Sequence, residues 1–151
     1  MKKNIIIDVD GVMTTGQFIY SKSGKLFKIF GPHDTDGLNL LKKKYNISFI
    51  SADKKGFKIT KKRIGDDLGY KLELINAEER YMFIEKKYGL KNSIYIGDGY
   101  YDAKILKDCL FGICPKNARI EARKSANFIT ESNSAEGAIL DAAIKIIKKY
   151  G

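Results

Sequence analysis

The sequence has no tryptophan, two prolines, two cysteines and a single histidine in 151 residues. Cys109 and Cys114 are five residues apart with no histidine nearby, which excludes a C-x-x-C redox pair and a zinc pattern. We expect both to be buried thiols in a cytoplasmic protein. No apolar run is long enough to cross a bilayer, and the run after Lys3 is too short for a secretory signal.

Negative charge is also scarce, because 28 Lys and Arg residues stand against 18 Asp and Glu residues, a net charge of +10. Such an excess suits an anionic partner, either a nucleic acid or a phosphorylated metabolite. The lysines fall in short runs on the polar sides of predicted helices, without an RNA-binding signature or a helix-turn-helix. We therefore favour a solvated, lysine-rich surface over a nucleic-acid groove.

The sequence does contain a short apolar strand that ends in acids, since residues 4–16 read N-I-I-I-D-V-D-G-V-M-T-T-G. The isoleucines predict a buried parallel strand, and Asp8, Asp10 and Gly11 predict a loop at its carboxyl end, where open α/β sheets place their chemistry. Two neighbouring carboxylates that lose water need a cation or a proton, and Mg²⁺ prefers hard oxygen ligands. The alternative is an ordinary strand followed by an Asx-type turn.

A second apolar strand ends in the same way, because residues 93–102 read S-I-Y-I-G-D-G-Y-Y-D. Asp98 follows this strand. Asp102 either accepts hydrogen bonds from groups that surround the site or caps the next helix. Two acid-ended strands in one short chain are the strongest indication of a functional site.

The remaining patterns predict a hairpin, four helices with defined bounds, four further strands, and a polar helix between the last two of those strands. The hairpin is expected over residues 17–30, the helices over 38–45, 57–68, 77–88 and 135–150, and the strands over 47–51, 71–75, 111–114 and 127–130. The hairpin carries more apolar surface than a solvated hairpin tolerates, so we expect it to pack against another subunit.

Three residues outside the acidic motifs are candidates for substrate contacts. Ser51 ends the strand predicted over residues 47–51, where its hydroxyl either binds a phosphate oxygen or caps a helix. His33 and Asp34 lie in the loop after the hairpin, within reach of Asp8. Either of them contacts the substrate, or His33 is an ordinary loop or capping residue and Asp34 or Asp36 caps the helix that follows.

The two acidic motifs resemble D-x-D-G-[VT]-x-[TS] and G-D-x-x-x-D of the haloacid dehalogenase superfamily of phosphotransferases. The resemblance implies one α/β domain over residues 1–151, a Rossmann-like three-layer sandwich with a central parallel sheet, a β-hairpin flap and no cap domain. It implies that Asp8 is the nucleophile and Asp10 the general acid/base. Mg²⁺ would be held by the carboxylates of Asp8 and Asp98 and by the backbone carbonyl of Asp10, with Asp102 supporting them.

The resemblance also implies a phosphate site and shows one departure from the family pattern. Ser51 corresponds to the second family motif, and backbone N–H groups near Gly11 would bind the phosphate. The third family motif supplies a lysine, but our alignment places Glu79 there, beside Arg80. Because a cation is needed close to so many carboxylates, Arg80 is the first candidate to replace the lysine and Lys54 the second.

Within this superfamily the chain resembles the small capless branch typified by 3-deoxy-D-manno-octulosonate 8-phosphate phosphatase. The supporting stretches are D-V-D-G-V-M-T-T-G before a hairpin, F-G-P-H-D-T-D-G-L-N-L-L-K and I-G-D-G-Y-Y-D. The branch implies a homotetramer assembled through the hairpins. It usually carries G-G-x-G-A with an arginine before the last helix, whereas Glu136 occupies the position of that arginine here.

These observations predict a Mg²⁺-dependent phosphomonoesterase of carbohydrate biosynthesis, which acts on a phosphorylated sugar or sugar acid through an aspartyl phosphate. Glu79 motivates a second hypothesis, a catalytically degenerate, oligomeric binding or scaffold subunit in a carbohydrate pathway. The positive charge alone motivates a third, a phosphatase that acts on nucleic-acid ends.

Overall fold

The computed structural model describes residues 1–151 as a six-stranded parallel sheet with helices on both faces and a separate two-stranded hairpin. The strands are β1 (Asn4–Asp8), β2 (Thr14–Ser21), β3 (Gly24–Phe30), β4 (Asn46–Ser51), β5 (Lys71–Leu74), β6 (Ser93–Ile96), β7 (Phe111–Cys114) and β8 (Phe128–Ile129). The helices are α1 (His33–Leu41), α2 (Phe57–Thr60), α3 (Arg80–Lys87), α4 (Asp102–Asp108), α5 (Ile120–Ser125) and α6 (Ala138–Tyr150). None of the helices combines the length and the apolar character needed to cross a membrane.

The order of strands in the sheet is β5-β4-β1-β6-β7-β8, and every pairing is parallel. The chain builds the sheet outward from β1 through β4 to β5, and then returns to the other side of β1 with β6. Ligands of open α/β sheets bind beside such a reversal, beyond the carboxyl ends of the strands. The topology therefore puts the end of β1, at Asp8, where a site is expected.

Apolar cores on both faces of the sheet fix the position of β1. Ile5 and Ile7 pack on one face with side chains of α1 and α6, and Ile6 packs on the other with side chains of α3, α4 and α5. All three isoleucines are fully buried, as expected for a parallel strand covered on both faces. The strand that carries Asp8 is thus held on both sides and by two neighbouring strands.

The hairpin of β2 and β3 follows β1 after a tight turn at Val9–Met13. Its strands pair antiparallel, and the predicted hairpin is confirmed, although β2 begins at Thr14, before the expected start. Six large apolar side chains are between 44% and 62% exposed on it: Phe18, Ile19, Tyr20, Leu26, Phe27 and Ile29. The hairpin therefore has an apolar surface that nothing in this chain covers.

The predicted α/β class is confirmed, including the absence of an insertion large enough to be a cap. Several predicted bounds are wrong. The first helix begins at His33 and ends at Leu41, so residues 33–37 of the loop predicted over 31–37 are helical. The last helix begins at Ala138, because Ala135 and Gly137 have φ angles of 61° and 115°, which an α-helix does not permit.

The other helices also differ from the pattern. The helix predicted over 57–68 consists of α2 followed by a π-helical segment at Lys61–Asp67. The helix predicted over 77–88 begins with a 3-10 turn at Ala77–Glu79. Cys109 and Cys114 are buried free thiols, as predicted. Burial raises the pKa of each thiol to about 11, so neither is poised for reaction.

Candidate active site

The carboxyl ends of β1 and β6 bring three acids together. Asp8 ends β1, while Asp98 and Asp102 follow β6. Carboxylate oxygens of the three residues lie within 4.8 Å of one another. Asp8 and Asp102 are 5% and 1% exposed. The two acid-ended strands of the sequence therefore converge on one buried acidic cluster.

Burial raises the pKa of two of these carboxyls. Loss of water raises the pKa of Asp8 well above its usual value, and the charge of Arg80 opposes this effect. Burial and the neighbouring charge of Asp102 raise the pKa of Asp98 to about 7. Buried carboxylates that resist ionisation are stabilised by a cation, and their hard oxygen atoms are the donors that divalent metals such as Mg²⁺ prefer. The residues present thus fit a divalent metal site.

Arg80 is the cation within the cluster. Its Nη1 lies 3.2 Å from Asp8 Oδ2 and 2.8 Å from Asp102 Oδ1, and it donates a hydrogen bond of 3.2 Å to the Tyr95 hydroxyl. Burial alone would lower the pKa of this guanidinium, but the charge of Asp8 raises it. Glu79 is exposed in the preceding turn. The structure therefore places Arg80, rather than Glu79, where a cation faces the acids.

Both oxygens of Asp102 are already occupied. Oδ1 accepts hydrogen bonds from the Tyr95 hydroxyl (2.6 Å) and from Arg80, and Oδ2 accepts them from the backbone N–H groups of Asp98 (3.0 Å) and Gly99 (2.8 Å). These bonds hold the loop that carries Asp98. They favour a role for Asp102 in orienting the site over one as a metal ligand.

The carboxylate of Asp10 is held by different groups, contributed by β4 and the hairpin. The Ser51 hydroxyl donates to its Oδ2 at 2.8 Å, and Lys28 Nζ lies 2.7 Å from its Oδ1. Lys28 also pairs with Asp53 at 2.9 Å, and Lys25 pairs with Asp53 at 2.7 Å. Burial would raise the pKa of Asp53, but the hydrogen bonds from the two lysines lower it to about 2. A second charged network therefore adjoins the acidic cluster.

A cavity of about 300 Å³ opens between the two networks. Its lining consists of Asp8, Asp10, Gly16, Phe18, Lys25, Ala52, Asp53 and Arg80. Phe18 and Lys25 belong to the hairpin, and Lys25 Nζ lies 4.1 Å from the centre of the Phe18 ring. The hairpin thus forms one wall of the cavity above the candidate nucleophile.

Gly11 meets a steric requirement of the acidic cluster. Its φ angle is 87°, and a Cβ added to it would lie 2.0 Å from Asp98 Oδ2. Its N–H donates to the Thr14 hydroxyl at 3.2 Å. Only glycine allows the turn after β1 and the Asp98 loop to approach each other this closely.

Three residues that we considered for phosphate or substrate neither line this cavity nor pair with its acids. Lys54 is exposed after β4 and pairs with none of the acids, and His33 is exposed at the start of α1. Asp34 is fully buried, and its Oδ1 accepts the N–H of Ile139 at 2.9 Å. Asp34 therefore caps α6, a different helix from the one that it was expected to cap.

Sequence reasoning did not identify Lys28 and Tyr95. A lysine within the apolar strand L-F-K-I-F and a phenol at the centre of a buried strand were the available signals. A buried Tyr hydroxyl needs a partner, and a buried lysine needs a counter-charge. Asp10 and Thr60 lie 18 and 32 residues from Lys28, and Asp102 and Arg80 lie 7 and 15 residues from Tyr95, so no short motif joined either residue to its partners.

A buried acidic cluster with one guanidinium, placed beyond the ends of parallel strands at the reversal of the strand order, fits a hydrolase of the phosphatase class. More specifically, the chain belongs to the family of haloacid dehalogenase-like hydrolases, whose family model matches residues 5–142. The predicted family is confirmed.

Known relatives agree with this assignment. The chain is 27% identical over 154 residues to 3-deoxy-D-manno-octulosonate 8-phosphate phosphatase KdsC of Haemophilus influenzae, covering 99% of this chain and 84% of that protein. The phosphatase of that name from Moraxella catarrhalis, solved with a magnesium ion, a phosphate ion and KDO, gives a TM-score of 0.83 at 27% identity, with 97% and 86% coverage. A probable YrbI family phosphatase from Pseudomonas syringae gives 0.85 at 25% identity, with 99% and 87% coverage.

Proposed function

We propose that this chain is a Mg²⁺-dependent phosphomonoesterase that acts on a phosphorylated sugar or sugar acid through an aspartyl phosphate on Asp8. The contact between Asp8 and Arg80 carries the proposal, because it joins a buried carboxylate at a strand end to a buried cation at 3.2 Å, beside the cavity. A nucleophilic carboxylate must be ionised, and Arg80 counteracts the effect of burial on its pKa.

The carboxylates of Asp8 and Asp98 and the backbone carbonyl of Asp10 would hold the Mg²⁺. The bound ion would neutralise phosphate charge and orient the phosphoryl group toward Asp8. Asp102 would keep the Asp98 loop in place through the hydrogen bonds that occupy both of its oxygens.

The proposed reaction consists of two half-reactions, the formation and the hydrolysis of the aspartyl phosphate. In the first, an oxygen of Asp8 attacks phosphorus, the bond to the leaving oxygen breaks, and Asp10 gives that oxygen a proton. In the second, Asp10 takes a proton from a water molecule as its oxygen attacks phosphorus, and the bond to Asp8 breaks. Inorganic phosphate leaves, and Asp8 and Asp10 return to their starting states.

Charge on the phosphoryl oxygens would be met by Arg80. The Ser51 hydroxyl and the Gly11 N–H donate to Asp10 and to Thr14 in the free protein, so each would exchange that partner for a phosphate oxygen to act as a further donor. Arg80 Nε is buried and has no hydrogen-bond partner, so this guanidinium retains a donor for an anion. Arg80 would thus supply the cation in place of the family lysine, whose position Glu79 occupies in our alignment and for which the degenerate subunit was considered. Lys54 is exposed and is the weaker candidate.

Two features of the chain support the finer parts of the proposal. The polar groups of Lys25 and Asp53 on the cavity wall suit the hydroxyl groups of a sugar. The exposed apolar side chains of the hairpin suit a homotetramer in which the hairpins pack together. Phosphatases of 3-deoxy-D-manno-octulosonate 8-phosphate are among the similar proteins, so this sugar acid phosphate is one candidate substrate.

Phosphate release from a panel of sugar phosphates, nucleotides and an aryl phosphate, measured with and without Mg²⁺, tests the proposal. Wild type should show Mg²⁺-dependent release, and Asp8→Asn should lose roughly 10⁴-fold or more. The matched control is Asp66→Asn, because Asp66 is an exposed acid and does not line the cavity. Circular dichroism checks that each variant is folded.

Full activity in Asp8→Asn would refute the aspartyl-phosphate mechanism. A folded wild-type protein that binds Mg²⁺ but releases phosphate from no compound would instead favour the degenerate binding subunit.

A further inference from the structure

Lys28 is a lysine of the hairpin whose side chain is only 2% exposed. Its Nζ lies 2.7 Å from Asp10 Oδ1, 2.9 Å from Asp53 Oδ2 and 2.9 Å from Thr60 Oγ1. Two of these contacts are hydrogen bonds, to Asp10 and Thr60, and the contact with Asp53 is an ion pair. All three are with groups of the protein, so Lys28 is placed to orient protein side chains.

The contacts of Lys28 leave Asp10 with one partner on each oxygen. Lys28 holds Oδ1 from β3, and the Ser51 hydroxyl holds Oδ2 at 2.8 Å from the end of β4. Two partners on different elements fix the direction of the carboxylate. Lys28 is fixed in turn, because Asp53 and Thr60 hold its Nζ from the segment after β4.

We propose that Lys28 is a positioning residue, which holds Asp10 in the orientation from which it protonates the leaving oxygen. This inference rests on the proposed function. In the step concerned, the bond between phosphorus and the leaving oxygen breaks, the bond from Asp8 to phosphorus forms, and the proton moves from Asp10 to the leaving oxygen. Lys28 contacts none of the reacting atoms and acts only through Asp10.

The proposal predicts an effect that depends on the leaving group. An alkoxide, as released from a sugar phosphate, needs the proton during bond cleavage, whereas 4-nitrophenolate leaves without it. Misplacing a general acid costs about 10²-fold, so Lys28→Met should slow cleavage of an alkyl phosphate by that factor and cleavage of 4-nitrophenyl phosphate at least ~10-fold less. A purely structural role would reduce both rates equally.

Single-turnover release of the alcohol or the phenol in the presence of Mg²⁺ measures this difference. Lys22→Met is the matched control, because Lys22 is exposed at the tip of the same hairpin and should leave both rates unchanged. Thr60→Val provides a second variant, since it removes one of the three partners of Lys28 but keeps its charge. It should show a smaller loss with the same preference, and it keeps the test decisive if Lys28→Met does not fold.

Equal losses for both substrates, or no loss for either, would overturn the positioning role. The proposed function would survive that result if wild type still turned over and Asp8→Asn did not. Failure of wild type to cleave either substrate would overturn both proposals.

Discussion

Replacing Asp98 by asparagine is expected to stabilise the metal-free protein at pH 8. Burial and the charge of Asp102 raise the pKa of the Asp98 carboxyl from 3.8 to about 7 in the folded state. Between about pH 4 and pH 7 the folded protein therefore keeps a proton on Asp98 that the unfolded chain has already released. Because the folded state binds more protons in this window, stability without metal falls as the pH rises through it.

The size of this effect follows from the change in pKa. A rise from 3.8 to about 7 destabilises the charged folded state by about 4 kcal/mol relative to the unfolded state. For a chain of this length, that corresponds to a change in Tm of roughly 10 °C. Asp98→Asn removes the charge, so its Tm should exceed that of wild type by this amount at pH 8 and by less than half of it at pH 5.

Thermal unfolding followed by circular dichroism in EDTA, at pH 5 and pH 8, measures the difference. Mg²⁺ should raise the Tm of wild type at pH 8 and have little effect on Asp98→Asn, because the ion stabilises only a state that binds it. Asp66→Asn, which changes an exposed acid, controls for net charge. A Tm of Asp98→Asn equal to or below that of wild type at pH 8 without metal would refute the reasoning.

Two further predictions concern Arg80 and the hairpin. Arg80→Met should lower the free energy of unfolding of the metal-free protein by about 3–5 kcal/mol, because it leaves buried carboxylates without their cation. It should also lower kcat by at least ~10²-fold, and Arg80→Lys should recover part of both losses. Unchanged stability and phosphate release in Arg80→Met would contradict this. Light scattering should give four times the chain mass of 17.0 kDa for wild type and a smaller mass for Phe27→Ser, since Phe27 is 60% exposed on the hairpin. A monomeric wild type would contradict the tetramer, and Lys22→Ser is the matched control.

The acidic cluster could be predicted from the sequence because its signal is local. Each of Asp8 and Asp98 follows a short run of apolar residues, and parallel strands place their carboxyl ends at one edge of a sheet. The identity of the cation was harder to predict. Glu79 and Arg80 are adjacent, and helix starts cannot be located from sequence to an accuracy of one residue, particularly where a 3-10 turn precedes the helix.

The second network could not be predicted, because it depends on contacts between distant parts of the chain. Lys28 meets Asp10 across 18 residues and Thr60 across 32. In the sequence Lys28 resembles any polar residue of an alternating strand. Asp34 illustrates the same limit, since it caps a helix 105 residues further along rather than the helix in which it lies.

The hairpin also determines where this fold can change in length. The chain leaves Asp10, runs out along β2, turns at its tip between Ser21 and Gly24, and comes back along β3 to place Lys28 beside Asp10. Residues added at the exposed tip would leave this return intact, because hairpin tips accept insertions. A single residue added within β3 would shift the pairing and turn Lys28 to the opposite face. The length of the hairpin can therefore change without disturbing the site, while the register of β3 with the site cannot.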